Sequence, residues 1–111
     1  MTTKEKIYKA LSKLNLPLAY ADSDINDLPR LNFVLIYNPT LKLSNKRHTR
    51  HPIYQVDYFT NHPQDVENSM ILDQVLEALE KAGLSVTEFR EANVVDEDFN
   101  RACYHYWTEV Y

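Results

Sequence analysis

Two strand-like runs flank a long basic connection, and this arrangement constrains the fold more than any other feature of the sequence. The first run, residues 32–37, is apolar on both faces, which is typical of an interior strand. The second run, residues 53–60, alternates apolar and polar residues, which is typical of a half-buried strand. Residues 39–51, between the two runs, are rich in Lys, Arg, Ser, Asn and Thr. The pattern predicts an antiparallel hairpin with an extended, mobile tip.

Apolar residues at helical spacing predict two amphipathic helices on either side of this hairpin. The first helix is predicted over residues 3–14, and Thr2 with Glu5 forms a capping-box pattern at its start. The second helix is predicted over residues 63–82. The only glycine in the chain, Gly83, follows it at the position where a helix ends in a left-handed cap.

Two further strands are predicted after the second helix, over residues 84–91 and residues 101–111. The element order is therefore α-β-β-α-β-β. It predicts a single α+β domain over residues 1–111, with a four-stranded, largely antiparallel sheet and two helices packed on one face. The tyrosines at strand spacing are predicted to form cross-strand pairs in the core: Tyr54, Tyr58, Tyr104 and Tyr106.

Charge is distributed unevenly along the chain, although the formal net charge is only −4. Residues 1–56 carry a net charge of +5 and residues 57–111 carry −9. The basic residues concentrate in the first helix and in the connection, and no acidic residue lies between Asp27 and Asp57. Such unlike halves favour head-to-tail contact with further copies of the chain, or with charged partners. Nucleic acid is disfavoured as a partner because the whole chain is acidic, with a pI near 5.5.

The sequence predicts no catalytic residue, no cofactor and no metal site. One glycine cannot build a phosphate-binding loop or a dinucleotide fingerprint. Residues 22–27 lack the glycine and the distal glutamate of a calcium loop. No zinc-site spacing and no nucleophile motif occurs among the histidines and the single cysteine: His48, His51, His62, Cys103 and His105.

The sequence also predicts the redox environment of the protein and whether it associates with a membrane. A single cysteine cannot form an internal disulfide, which favours a reducing compartment. No apolar run reaches the roughly 18–20 residues that a membrane-spanning helix requires, so no membrane association is expected.

The order and texture of these segments resemble the small tail-completion proteins in the tail modules of long-tailed phages and prophages of Gram-positive bacteria. The resemblance covers nearly the whole chain and is carried by residues 16–20, 33–37, 54–60, 83–84 and 104–107. It implies an α+β subunit that forms rings, commonly of six, which cap the tail tube and dock to the head connector. It implies neither enzymatic activity nor a cofactor. The expected location is the cytoplasm of the bacterial host during assembly, and then the virion tail.

Partner contacts are expected in two places. The connection is expected to act as an arm that becomes ordered on assembly, through Lys42, Lys46, Arg47 and Arg50. Trp107 and Tyr111 are expected in a packing interface. The partners would be further copies of the chain and other tail or head-connector proteins. The alternative is a small binding module or regulator that uses residues 42–51 on nucleic acid or on an acidic protein.

Overall fold

The structure is a computed structural model that describes residues 1–21, 28–37, 40–43, 46–50, 52–92 and 103–111. Its two helices are α1 (Thr3–Ser12) and α2 (Met70–Lys81). The described residues also form seven strands: β1 (Leu18–Tyr20), β2 (Arg30–Tyr37), β3 (Thr40–Leu43), β4 (Lys46–Arg50), β5 (Ile53–Thr60), β6 (Arg90–Glu91) and β7 (Tyr104–Val110). The main sheet has the order β1-β2-β5-β7-β6, and β3 and β4 form a separate sheet.

The main sheet is mixed and has five strands, so the predicted α+β class is confirmed and the predicted four strands are corrected. β1 pairs in parallel with the first part of β2, with Leu18 opposite Leu31 and Tyr20 opposite Phe33. β2, β5, β7 and β6 pair antiparallel in that order. The sequence predicts a loop where β1 lies, because a strand of three residues is too short for an alternating pattern to be visible.

Both helices pack on the same face of the main sheet, and their inner side chains join one apolar core with alternate residues of the strands. The tyrosines Tyr54, Tyr58 and Tyr106 are buried in this core, and Tyr58 lies directly opposite Tyr106. The full set of buried apolar residues is Ile7, Ala10, Leu11, Leu31, Phe33, Tyr54, Val56, Tyr58, Leu72, Val75, Leu79, Leu84, Phe89, Tyr106 and Val110.

Helix α1 begins at the predicted capping box. The Thr2 hydroxyl accepts a hydrogen bond from the backbone N–H of Glu5 at 3.1 Å and donates one to the Glu5 carboxylate at the same distance. These bonds satisfy one of the free N–H groups at the helix start and place an acidic side chain where the helix dipole favours it. The helix ends at Ser12, two residues before the predicted end, and Asn15 then adopts a left-handed conformation with φ of 57°.

Helix α2 begins seven residues later than predicted, at Met70 instead of residue 63. Residues 61–69 are held in a non-helical path by the buried Tyr106. Its hydroxyl accepts a hydrogen bond from the backbone N–H of Gln64 at 2.7 Å and donates one to the carbonyl oxygen of Gln64 at 3.0 Å. Ser69 then caps the helix by accepting a bond from the N–H of Leu72. This tertiary contact overrides the helical tendency of the preceding residues.

The end of α2 confirms the role predicted for Gly83. This residue has φ of 85°, its N–H donates to the carbonyl of Glu80, and the N–H of Leu84 donates to the carbonyl of Leu79. The two bonds form a Schellman motif, which requires a left-handed residue after the helix. The motif turns the chain so that Leu84 enters the core.

The strand predicted over residues 84–91 is interrupted by a bulge. Val86 bridges to Val110, and Thr87 donates a backbone hydrogen bond to Glu109. In β6, Arg90 pairs with Trp107, so the register has shifted by one residue between Thr87 and Arg90. The extra residue buries Phe89 and leaves Glu88 exposed, which a regular alternation would not do. The last predicted strand, over residues 101–111, is confirmed as β7 from Tyr104; residues 101 and 102 lie outside the described residues.

Candidate interaction surfaces

The predicted basic loop is a two-stranded hairpin, here called the basic hairpin (residues 40–50). The register places Lys42 opposite Arg47, and Thr40 opposite Arg50, with Lys46 opposite Leu43. All four predicted contact residues of this segment therefore lie on one short ribbon, and the sequence of that ribbon contains no acidic residue. Residues 39, 44, 45 and 51 of the predicted connection lie outside the described residues, and so do residues 22–27, which the sequence excludes as a calcium loop.

The basic hairpin extends the two longest strands of the main sheet. β3 begins three residues after the end of β2, and β4 ends three residues before β5 begins. The two ribbons nevertheless belong to separate sheets. The molecule is elongated, with dimensions of 56 × 29 × 23 Å. The connection between β2 and β5 thus contains a two-stranded ribbon of its own, outside the main sheet.

The second half of β2 exposes three consecutive apolar side chains, here called the apolar strip (residues 35–37). Leu35 is 38 % exposed, Ile36 is 45 % exposed and Tyr37 is 60 % exposed. The prediction that this run is an interior strand is therefore wrong at its C-terminal end. The physical reason is that β1 pairs only with Leu31 to Phe33, so within the described part of the chain no strand lies beside the remaining residues of β2. Consecutive exposed apolar residues on a sheet edge are typical of a surface that a partner covers.

Tyr111 lies at the same end of the main sheet as the apolar strip and the basic hairpin. Its backbone exchanges two hydrogen bonds with Ser85, while its side chain remains exposed. The residue before it, Val110, pairs with Tyr54, and Ile53 pairs with Tyr37 at the base of the hairpin. The structure thus brings one of the two predicted aromatic contacts close to the predicted arm.

Trp107 lies on the sheet face opposite the helices and is half-buried. The Arg90 guanidinium stands 4.8 Å from the centre of its ring, which is a cation–π contact. In the register, Trp107 is opposite Asp57, three pairs away from Val110 at the end of the sheet. The two predicted aromatic residues therefore lie on separate parts of the surface, and one side of the Trp107 ring is already covered.

A polar cluster occupies the same open face of the sheet. The Asp57 carboxylate accepts a hydrogen bond from the Gln55 amide at 2.6 Å and lies 2.6 Å from Nε2 of His105. The His105 ring stacks on Phe59 at 4.4 Å. The sequence gives no sign of the contact between His105 and Asp57, because the two residues meet through strand pairing across 48 positions. Asp57 is almost fully buried, and Gln55 and His105 provide the hydrogen-bond partners that a buried carboxylate requires.

The described residues contain no group of three or more histidine, cysteine, aspartate or glutamate side chains arranged to hold a metal ion. In the same described part of the chain, neither helix has the length and apolar character needed to cross a membrane. These two findings concern the described ranges alone.

A second basic surface lies between the two helices. It is a groove of about 510 Å³ whose rim carries the lysines Lys6, Lys9, Lys13 and Lys81. Its apolar lining includes Ala10, Ala78 and Ala82. The groove corresponds to the lysine cluster that the sequence places in the first helix, and it lies on the opposite side of the sheet from Trp107.

Comparison of the sequence with protein-family models found no family that matches the chain. Comparison with curated proteins found no match either.

Proposed function

We propose that this chain is a structural tail-completion protein of a long-tailed phage or prophage, acting either as a tail terminator or as a head–tail joining subunit. It works by ring-type self-assembly and by contacts with other tail or head-connector proteins. The observation that carries this proposal is the continuation of β2 and β5 into the basic hairpin, with the apolar strip exposed at its base. An arm beside an exposed apolar strand is suited to binding a neighbouring subunit.

The charge distribution supports contact between unlike surfaces of successive subunits. The basic hairpin belongs to the half of the chain with a net charge of +5, whereas the half with −9 includes the acidic helix α2. An attraction between different surfaces of identical subunits produces a heterologous interface, which closes into a ring when the rotation between subunits allows it. A ring of six is the proposed state. The proposed location is the host cytoplasm during assembly and the virion tail afterwards.

The experiment compares the wild-type chain with a triple variant, Lys46→Ser, Arg47→Ser and Arg50→Ser. Light scattering after size-exclusion chromatography measures the assembly, and circular dichroism measures the folding. We expect normal folding and loss of the assembled fraction, because β3 and β4 form a sheet separate from the main sheet. The matched control, Lys9→Gln, Lys13→Gln and Lys81→Gln, removes the same number of charges from the helix groove and should assemble as the wild type does. Unchanged assembly of the triple hairpin variant would show that the arm has no role.

A second candidate function follows from the form of the basic hairpin. A two-stranded ribbon can enter the major groove of duplex DNA, and this ribbon has four basic residues and no acidic one. A small nucleic-acid-binding module or regulator would show affinity for duplex DNA that falls steeply with salt concentration. The tail-completion proposal instead expects weak DNA binding, which the hairpin and groove variants reduce to the same extent because both remove three positive charges.

A further inference from the structure

The open edge of β2 is the first of two unpaired strand edges in the main sheet. On the side away from β5, β1 pairs with Leu31 to Phe33, and the next contact is the bond from the N–H of Ala21 to the carbonyl of Phe33. Beyond this point no strand among the described ranges pairs with residues 34–37. Among the described residues, the backbone groups on this side have no strand partner, and the apolar strip flanks them.

The second edge lies at the opposite side of the sheet, in residues 85–91, here called the outer segment. It pairs with β7 through Ser85, Thr87 and β6, and within the described part of the chain no strand pairs on its other side. Glu88 projects from the bulge and is exposed, and Glu91 is exposed as well. The outer segment is thus a short edge whose charged side chains are Glu88, Arg90 and Glu91, with a net charge of −1.

The directions of the strands make these two edges compatible. β2 and β7 run in one direction, while β5 and the outer segment run in the other, because each antiparallel neighbour reverses the chain. Extending the sheet by a second copy in the same orientation therefore places the outer segment of one copy antiparallel to β2 of the next. Antiparallel pairing is the more stable arrangement per residue.

The surroundings of the two edges differ in charge, although residues 34–37 themselves carry none. From Val34 to the end of the basic hairpin the chain contains four basic residues and no acidic one. The outer segment carries Glu88 and Glu91 against the single basic residue Arg90, whose guanidinium already contacts Trp107. Opposite charges on facing strands stabilise a pairing, and like charges destabilise it. Because residues 34–37 carry no charge and the chain after them is basic, contact between the β2 edge and the outer segment avoids the repulsion between acidic side chains that two facing outer segments would bring.

We propose that residues 34–37 of one copy bind the outer segment of a second copy by antiparallel strand addition, so that the main sheet continues from subunit to subunit. This inference rests on the proposed function, since it names the contact through which the ring assembles. The interface is heterologous, because each subunit uses one edge toward each neighbour. Backbone hydrogen bonds supply the pairing, and burial of the apolar strip adds to the affinity.

The first test uses two tyrosines of nearly equal exposure. Tyr37 in the apolar strip is 60 % exposed, and Tyr8 on α1 is 58 % exposed. Tyr37→Lys introduces a charge into the proposed interface and should raise the concentration needed for half-assembly by about tenfold or more. Tyr8→Lys makes the same chemical change outside it and should leave that concentration within about twofold. Equal behaviour of the two variants would overturn the proposal.

The second test identifies the partner edge directly. In a Cys103→Ser background, Ile36→Cys is prepared as one protein and Glu88→Cys as another, and each is treated with a short bismaleimide cross-linker. A covalent dimer should form when the two proteins are mixed and should be absent from either protein alone. Dimers of the Ile36→Cys protein alone would show a two-fold contact and would overturn the proposal. If neither the mixture nor the single proteins cross-link while the wild type still assembles, the edge pairing is wrong and the proposed function stands. A wild type that never assembles refutes both.

Discussion

The late start of helix α2 depends on one hydroxyl group, and its removal gives the most specific prediction for the fold. Tyr106 is fully buried, and its hydroxyl satisfies both the N–H and the carbonyl of Gln64, at 2.7 and 3.0 Å. Tyr106→Phe preserves the ring and leaves these two backbone groups without their partner. A buried polar group that loses its partner costs about 1–3 kcal/mol.

The expected loss follows from the burial of the groups concerned. Gln64 is only half-buried, so water can replace part of what the hydroxyl provides. We therefore expect the free energy of unfolding to fall by about 2 kcal/mol, near the lower end for two groups. This change lowers the ratio of folded to unfolded protein by roughly 30-fold. The total free energy of unfolding of a domain of this kind is about 5–15 kcal/mol, so the loss is a large fraction of it.

Urea unfolding monitored by circular dichroism measures this loss, and an unchanged m-value would show that the folded and unfolded states have kept their compactness. Tyr58→Phe is the matched control. Tyr58 lies opposite Tyr106 in the same core, and its hydroxyl has no hydrogen-bond partner among the described residues. The control should lose less than about 0.5 kcal/mol. Equal losses in the two variants would refute the role assigned to the Tyr106–Gln64 bonds.

Two further predictions concern the end of α2 and the alkaline behaviour of the core. Gly83→Ala should lower the free energy of unfolding by about 1 kcal/mol, because a residue with a Cβ is strained at φ of 85° even though open space surrounds the position. Gly83→Asn should lower it by less, because asparagine tolerates this backbone conformation better. Urea unfolding measures both changes. Burial, with a smaller contribution from Tyr20, raises the pKa of Tyr54 above its ordinary value of 10.0, so the folded state keeps its proton longer than the unfolded state does. Stability is therefore unaffected by this group below about pH 10 and falls as the pH rises further, and Tyr54→Phe should make the loss above about pH 10 less steep in pH-dependent unfolding.

The parts of the fold that sequence predicted are those set by neighbouring residues. The capping box of Thr2 and Glu5 and the Schellman motif at Gly83 are formed by residues within a few positions of each other, and both lie where the sequence places them. The hairpin of β2 and β5 was predictable for a similar reason, since its two apolar runs flank a single polar connection. Local chemistry is sufficient to determine these elements.

The parts that sequence did not predict depend on contacts between distant residues. The start of α2 is determined by Tyr106, which lies 42 positions from Gln64. The bulge before β6 is visible only when Thr87 and Arg90 are compared with their partners on β7. In both cases the residues concerned have local preferences that fit another structure, and packing decides between them.

The candidate surfaces also include one part that the sequence predicts and one part that it does not. Sequence located the basic residues Lys42, Lys46, Arg47 and Arg50, because charge can be read directly, and the structure places them together on one ribbon. The sequence did not locate the apolar strip. An apolar run by itself predicts a buried strand, and only the arrangement of the neighbouring strands shows that this part of β2 is exposed. The length of β1 determines this arrangement, and the exposure of residues 35–37 follows from it.

The most direct test of the proposed function is native mass spectrometry of the wild-type chain over a series of concentrations, at low and at moderate ionic strength. Ring assembly through unlike edges predicts one discrete closed oligomer, with six subunits as the proposed number. Its fraction should rise with concentration and fall with added salt, because part of the attraction is electrostatic. A monomer at every concentration, or an open ladder of sizes without a closed species, would contradict the proposed ring.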